Sequence, residues 1–288
     1  MFQTGRELSD LQLIERSLIK KYRKEIWNPF IEGVKNYELV LEGDKIAVCI
    51  SGGKDSMLMA KLMQQLQRVS DVSFELVFLV MDPGYNADNR KRIEDNAKRL
   101  NIPITVFESR IFDVANSVNE GSPCYLCARM RRGNLYAKAQ ELGCNKIALG
   151  HHFTDVIETT LLGMFYGSQI QAMLPKLHST NFEGMELIRP LYCVHEDAVI
   201  SWCRYNDLHF IQCACRFTEN YTNSGDGIGN SKRQEIKMLI KELRKTNPDI
   251  EHNIFKSIHA VCLDTMPGYK QGGEYHSFLD NYYKGENI

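Results

Sequence analysis

The sequence predicts an α/β fold, a doubly wound parallel sheet with helical N- and C-terminal additions. Three observations carry that expectation. Nearly continuous apolar runs at Lys45–Ile50, Phe74–Met81 and Lys146–Gly150 read as strands buried on both faces. Helical patterns alternate with them, which is the order of a parallel sheet covered on both sides. The glycine- and histidine-bearing stretches Ser51-Gly52-Gly53, Met81-Asp82 and Gly150-His151-His152 all follow strand ends. Open α/β sheets bind ligands beyond the carboxyl ends of their strands, so these three loops are expected to share one crevice.

Taken in order, Leu11, Ile14, Leu18, Tyr22, Ile26 and Phe30 space an amphipathic helix over roughly Leu8 to Val34. After the first strand and its glycine turn, Leu58, Leu62 and Leu66 place a helix. Asp82-Pro83-Gly84 ends the second strand, a charged helix runs from about Ala87 to Leu100, and Ile104–Phe107 is the third strand. A helical region containing Cys124 and Cys127 reaches Leu142, with Gly143 as its cap. A helix opens near Thr154 after the fourth strand. Beyond Thr180 the pattern weakens: a strand end near Leu187–Leu191, a helix from Glu196 to Tyr205 and a fifth strand at His209–Gln212. Helices are expected over Ser231–Lys245 and from Pro248 to Val261. The glycine-rich loop Tyr221–Asn230 reads as mobile and the polar tail from Pro267 as loosely packed. The expected organisation is an N-terminal helical segment (1–40), a nucleotide domain (41–217) and a C-terminal helical segment with its tail (218–288).

A chain of 288 residues, 43% of them hydrophobic, can bury one sizeable core. No run is long enough to span a membrane, and Met1-Phe2-Gln3-Thr4-Gly5-Arg6-Glu7 has no apolar signal-peptide region, so no membrane association and a cytoplasmic location are expected. Nine cysteines in that compartment point to metal or sulfur chemistry rather than a disulfide framework. The net charge of −1 gives no bulk support for a nucleic-acid partner.

The chemistry starts at Ser51-Gly52-Gly53-Lys54-Asp55-Ser56. Strand, glycine turn and helix together aim backbone N–H groups and a helix dipole at phosphate oxygens. Lys54 adds a mobile charge, and Ser51 and Ser56 add hydroxyl donors. A Walker A loop is excluded, since Val48 and Asp55 stand where it needs Gly and Ser or Thr, and the dinucleotide Gly-x-Gly-x-x-Gly is missing. Downstream, Gly150, His151, His152 and Asp155 sit at a strand-to-helix turn. A carboxylate aimed at a phosphate crevice acts through Mg²⁺, so Asp155 and Asp55 compete for the metal or catalytic role. His152 can hold phosphate or cap the helix. Cys124 and Cys127 have the two-residue gap that suits one metal or cluster. A redox pair would sit in a thioredoxin-like unit, and this one does not. Cys213 and Cys215 form a second close pair.

The hexapeptide resembles the PP-loop of the ATP pyrophosphatase superfamily, whose fold is a HUP-like Rossmannoid sheet. Pro123-Cys124-Tyr125-Leu126-Cys127 through Arg131-Arg132-Gly133, Gly150-His151-His152 with Asp155 and Glu158-Thr159, Met164-Phe165-Tyr166-Gly167, Pro175-Lys176-Leu177 and Arg189-Pro190-Leu191 extend the match. Together, over roughly Lys45 to Cys215, they resemble the tRNA 2-thiocytidine synthetases. The resemblance implies an ATP-dependent, AMP- and pyrophosphate-forming sulfurtransferase that uses Mg²⁺ and a 4Fe-4S cluster and acts on tRNA. It implies nucleotide binding by Ser51, Gly52, Gly53, Lys54, Asp55, Ser56, Met81, Gly150 and His152, with Lys54, Asp55 and Asp155 catalytic. By position it implies cluster ligands Cys124, Cys127 and Cys213. The family's late pair is Cys-x-x-Cys after proline, whereas this chain has Gln212-Cys213-Ala214-Cys215, so Cys215 stands as an alternative third ligand. A sulfur donor (a cysteine desulfurase or persulfide carrier) is implied as a partner, and a homodimer is compatible. The rivals are a lysidine-synthetase-like or amidating PP-loop ligase, and a cluster-bearing nucleotide sensor without turnover.

Overall fold

The structure, a computed structural model, describes residues 8–109, 123–211 and 232–282, of which 123–129 and 281 are described by their backbone alone. The loop Tyr221–Asn230 and the cysteines Cys213 and Cys215 lie outside the described residues. Six strands form the main sheet: β1 (Lys45–Ile50), β2 (Glu75–Asp82), β3 (Ile104–Glu108), β4 (Lys146–Ala148), β5 (Lys176–His178) and β6 (Glu186–Ile188). Their order is β3-β2-β1-β4-β6-β5, parallel throughout except for β5, which runs antiparallel to β6 at the edge. From β1 the chain builds outward through β2 and β3, then returns to lay β4 against the other side of β1. That reversal opens a crevice between the carboxyl ends of β1 and β4.

Helices cover both faces: α1 (Asp10–Ile19), α2 (Asn28–Asn36), α3 (Lys54–Val69), α4 (Ala87–Arg99), α5 (Pro123–Glu141), α6 (Phe153–Tyr166) and α7 (Glu196–Tyr205). Alternate residues of β1 feed two cores. Ile46, Val48 and Ile50 join Ile14, Phe30, Leu58, Leu62 and Trp202 on one face. Ala47 and Cys49 join Tyr136, Ala139, Ile147 and Leu187 on the other. The N-terminal helices thus share the first core with the sheet. Chain contacts divide the protein into two compact units, Met1–Arg233 and Gln234–Ile288. The second holds most of α8 (Lys232–Thr246), then α9 (Ile250–Ser257), a hairpin of β7 (Gly268–Gln271) and β8 (Glu274–Ser277), and α10 (Leu279–Tyr282).

Two expectations are corrected, and the tail is given a structure. The N-terminal helix is broken: between α1 and α2 lies a π-helical turn, Arg23–Trp27. Pro29 has no N–H to continue an uninterrupted helix and sits in the first turn of α2, where none is needed. His209–Ile211 is not a strand. Asn96 Nδ2 donates to the His209 carbonyl at 2.9 Å, and Ile211 packs against the glycine loop, so the segment is tied to α4 rather than the sheet. The tail after Pro267 forms the β7–β8 hairpin, turned by Gly272 and Gly273 at φ +61° and +89°. A Gly-Gly pair supplies both positive φ angles of a two-residue hairpin turn.

Lys146, only 2% exposed at the start of β4, contacts Asp44 at 2.8 Å and Glu186 at 3.3 Å and donates to the Leu39 carbonyl. Removing one partner of such a buried pair leaves a poorly compensated charge. Asp44→Ala is expected to cost about 3–5 kcal/mol. Urea unfolding checks it: the midpoint should fall with the slope unchanged, and an unchanged midpoint would contradict the pairing.

Candidate active site

β1 ends at Ile50 and the chain turns through Gly52 at φ +84°. A Cβ on Gly52 would lie 2.5 Å from Ile93 Cγ1 and 2.7 Å from Ile211 Cδ1, so both backbone angle and space demand glycine. α3 then starts with Gly53 as its N-cap and no side-chain cap. Its first N–H groups are therefore free of the capping that a Ser or Asp would provide, which is the condition for binding an anion. Ser56 Oγ ties the loop to itself, accepting from the Ser51 N–H at 3.2 Å and donating to the Gly53 carbonyl at 3.0 Å.

The loop after β4 meets this turn backbone to backbone. A Cβ on Gly150 would sit 3.1 Å from Ser56 N and 3.2 Å from Ser56 Cα. His152 is the N-cap of α6: its Nδ1 accepts the Asp155 N–H at 3.3 Å, while Asp155 Oδ2 accepts the His152 N–H at 3.1 Å. That leaves the ring proton on Nε2, 3.8 Å from Asp55 Oδ1. Met81, the next-to-last residue of β2, lies beside the same space. Asp82 fixes the turn that follows, accepting from the N–H groups of Gly84 and Tyr85 and from Arg90.

Lys54 Nζ lies 3.0 Å from both Asp55 Oδ2 and Glu196 Oε1. Burial pulls the Lys54 ammonium down, but these two carboxylates outweigh it and hold it above its ordinary range. Burial likewise works against Asp155, yet His152, His151 and Arg233 hold its carboxyl below the usual value. Arg233 Nη1 contacts Asp155 Oδ1 at 2.9 Å and Glu158 Oε2 at 3.3 Å. Asp55 Oδ1, by contrast, is buried with no hydrogen-bond partner among the described residues. His151 is kept neutral: burial first, then the Arg189 charge, push its imidazole down to about 4.

The glycine loop lines two cavities. One of about 340 Å³ is lined by Ser51, Asp55, Ser56, Met81, Arg131, Arg132, Gly150 and His151, among others. The other, about 960 Å³, is lined by Gly53, Lys54, Asp55, Asn89, Arg92, Cys203 and Arg204 with the 207–211 segment. The structure thus gathers Ser51, Gly52, Gly53, Lys54, Asp55, Ser56, Met81, Gly150, His152 and Asp155 around one crevice. Cys124 and Cys127 fall in the first turns of α5, three residues apart and so on one face of the helix. Cys213 lies outside the described residues. Sequence reasoning gave no role to Glu196, Arg189 or Arg233, and read His151 only together with His152 as a metal, phosphate or capping residue. Glu196 sat at an expected helix start, but only the fold brings it to Lys54.

Fold and crevice together define a PP-loop nucleotide-binding protein, and residues 19–224 match the family model described as the PP-loop domain. The tRNA-cytidine(32) 2-sulfurtransferase of Alcanivorax borkumensis is 31% identical over 280 residues, 92% of this chain and 95% of that protein. Those of Geobacter metallireducens (34% identical; 84% and 91% covered) and Vibrio campbellii (35%; 85% and 78%) are similar over most of their lengths. The chain belongs to the tRNA-cytidine 2-sulfurtransferase family of PP-loop proteins. The U34-tRNA thiolase NcsA of Methanococcus maripaludis, solved with its 4Fe-4S cluster, shares the fold at a TM-score of 0.65 and 19% identity, covering 95% of this chain and 90% of that one.

The neutral His151 sets a pH response. Its folded value of about 4 lies below the ordinary 6.5, so between those values the unfolded chain binds a proton that the native chain does not. Stability should fall as pH drops through that window, while the lowered Asp155 carboxyl acts only below its ordinary 3.8. Urea midpoints at pH 7 and pH 5 should therefore differ more in the wild type than in His151→Gln. Equal differences would contradict the assignment.

Proposed function

We propose that this chain replaces the C2 oxygen of a tRNA cytidine with sulfur, activating that oxygen with ATP. The observation that carries the reading is the backbone contact of Gly150 with the uncapped start of α3, in a chain of this family. Glycine at 150 lets the loop after β4 close on the start of α3, whose uncapped N–H groups are suited to phosphate oxygens. Ser51, Gly52, Gly53 and Ser56 hold the β- and γ-phosphates. Lys54 exchanges its contacts with Asp55 and Glu196 for the phosphate, offsetting the charge that grows as pyrophosphate leaves. Backbone groups near Met81 read the adenine edge.

The donor set fits Mg²⁺: Asp55 presents a buried, unpartnered carboxylate oxygen, whereas Asp155 is engaged by Arg233 and His152. Asp55 is the nearer candidate ligand and Asp155 the second. His152 locks Asp155 through the cap. The pair at the start of α5 fits a cluster by its thiols and their i, i+3 spacing. Cys124, Cys127 and either Cys213 or Cys215 would hold a 4Fe-4S cluster, whose remaining iron would supply a soft site for sulfide.

In the first step the C2 oxygen bonds to the α-phosphorus and the bond to the bridging oxygen breaks, its electron pair leaving with pyrophosphate. In the second, hydrosulfide adds at C2, the C2–O bond breaks with its pair going to AMP, and a proton is lost as C=S forms. The partners are tRNA and a sulfur donor, either a cysteine desulfurase or a persulfide carrier, whose sulfane sulfur is released as hydrosulfide by a two-electron thiol reductant. A cytoplasmic location and a homodimer are compatible with this reading.

Anaerobic purification followed by absorbance and by iron, sulfide and zinc assays tests the site. About four irons per chain and a broad visible band are expected. Cys124→Ala should lose both iron and thiolated product while ATP still binds. Zinc in place of iron, or retained thiolation in the variant, would overturn the cluster assignment.

A further inference from the structure

The smaller cavity holds cationic donors that the glycine loop does not explain. Arg131, Arg132 and His151 line it on the side facing Ser51 and Asp55. Next to them lies Arg189, which is only 8% exposed. Its Nη1 donates to the Leu174 carbonyl, but its Nε is buried and unpartnered among the described residues, as is His151 Nδ1. Burial, then the nearby charge of Arg132, push the Arg189 guanidinium down to about 10. Asp155, the carboxylate felt by both Arg189 and His151, is already met by Arg233 at 2.9 Å. Buried donors are ordinarily paired, and two that are unpartnered among the described residues, Arg189 Nε and His151 Nδ1, beside a cavity that Arg131 and Arg132 also line, favour an anion there. Lys54, by contrast, lines the larger cavity.

We propose that Arg131, Arg132 and Arg189, with His151, form a second anion site that holds the α-phosphate and keeps hold of AMP after pyrophosphate has gone. The inference rests on the reading that this site uses ATP. It divides the nucleotide at the bond that breaks: β- and γ-phosphates at the glycine loop and Lys54, adenosine and α-phosphate toward Met81 and the arginines. When the C2–O bond breaks, the departing phosphate gains a full charge, and donors fixed around it stabilise that charge without reorganising. His151, being neutral, contributes a hydrogen bond rather than a charge. Arg131 is four residues beyond Cys127, one turn along the same helix face. The thiol-bearing turn is therefore next to the one that grips the leaving group.

Isothermal titration with AMP and with pyrophosphate, on the full-length chain, separates the two ends. Arg132→Ala should weaken AMP binding by about 10-fold or more, the loss of a charge-assisted contact, and leave pyrophosphate binding unchanged. Lys54→Ala should do the reverse. Arg189→Lys, with its thermal melt checked against the wild type, should also weaken AMP, because an ammonium does not reproduce the guanidinium fork. Unchanged AMP affinity in Arg132→Ala, or equal loss of both ligands, would overturn the assignment. If the AMP pattern held but tRNA were never thiolated, the thiolation reading would fall and the anion site would stand.

Discussion

The close approach of two backbones holds this molecule's chemistry together. Gly150, after β4, lies against the first turn of α3, and a Cβ there would meet Ser56 N, Ser56 Cα and Asp55 C between 3.1 and 3.3 Å. Those neighbours are main chain and cannot give way as a flexible side chain would. The contact exists because β1 and β4 are adjacent in the sheet although about 100 residues separate them in sequence. It brings the start of α3 to the start of α6. α7 joins them: the Glu196 N–H donates to Thr154 Oγ1 and the Glu196 carboxylate reaches Lys54. Three helix starts around one crevice give a positive lining before any side chain is counted.

The side chains sort that field into parts. Lys54 rests between two carboxylates, so it is held ready without a phosphate present. Asp155 is satisfied by its capping histidine and by Arg233, while Asp55 keeps one buried oxygen unanswered. Arg131, Arg132 and His151 line the smaller cavity, with the buried Arg189 beside them. A single turn of chain thus serves two cavities, each lined by cationic side chains, which suits a reaction that breaks one phosphate linkage and releases two anions.

Much of this was legible in the sequence where one local rule sufficed. β1, β2 and β4 are buried on both faces and read as apolar runs. The glycine loop needs glycine for a positive φ, and Gly143 closes α5 at φ +72°. Other features depended on long-range packing. β5 and β6 are three residues each, too short for any periodicity, and Pro175 and Pro190 beside them suggest turns. Phe210 and Ile211 look like strand residues because they are apolar, but Ile211 is spent filling the space beside Gly52. His151 and His152 are neighbours with different tasks, since the extended backbone of His152 turns its ring back onto α6 and leaves His151 at the cavity. The Gly272-Gly273 hairpin was readable from its turn chemistry and was obscured by a polar composition.

The most direct test is to digest tRNA after anaerobic incubation with the protein, ATP and a hydrosulfide source, and to identify its nucleosides by mass spectrometry while pyrophosphate is counted. The account predicts 2-thiocytidine that appears only with ATP, with one pyrophosphate released for each sulfur incorporated. Pyrophosphate released with tRNA but no sulfur gained, or sulfur found on uridine and not on cytidine, would contradict it.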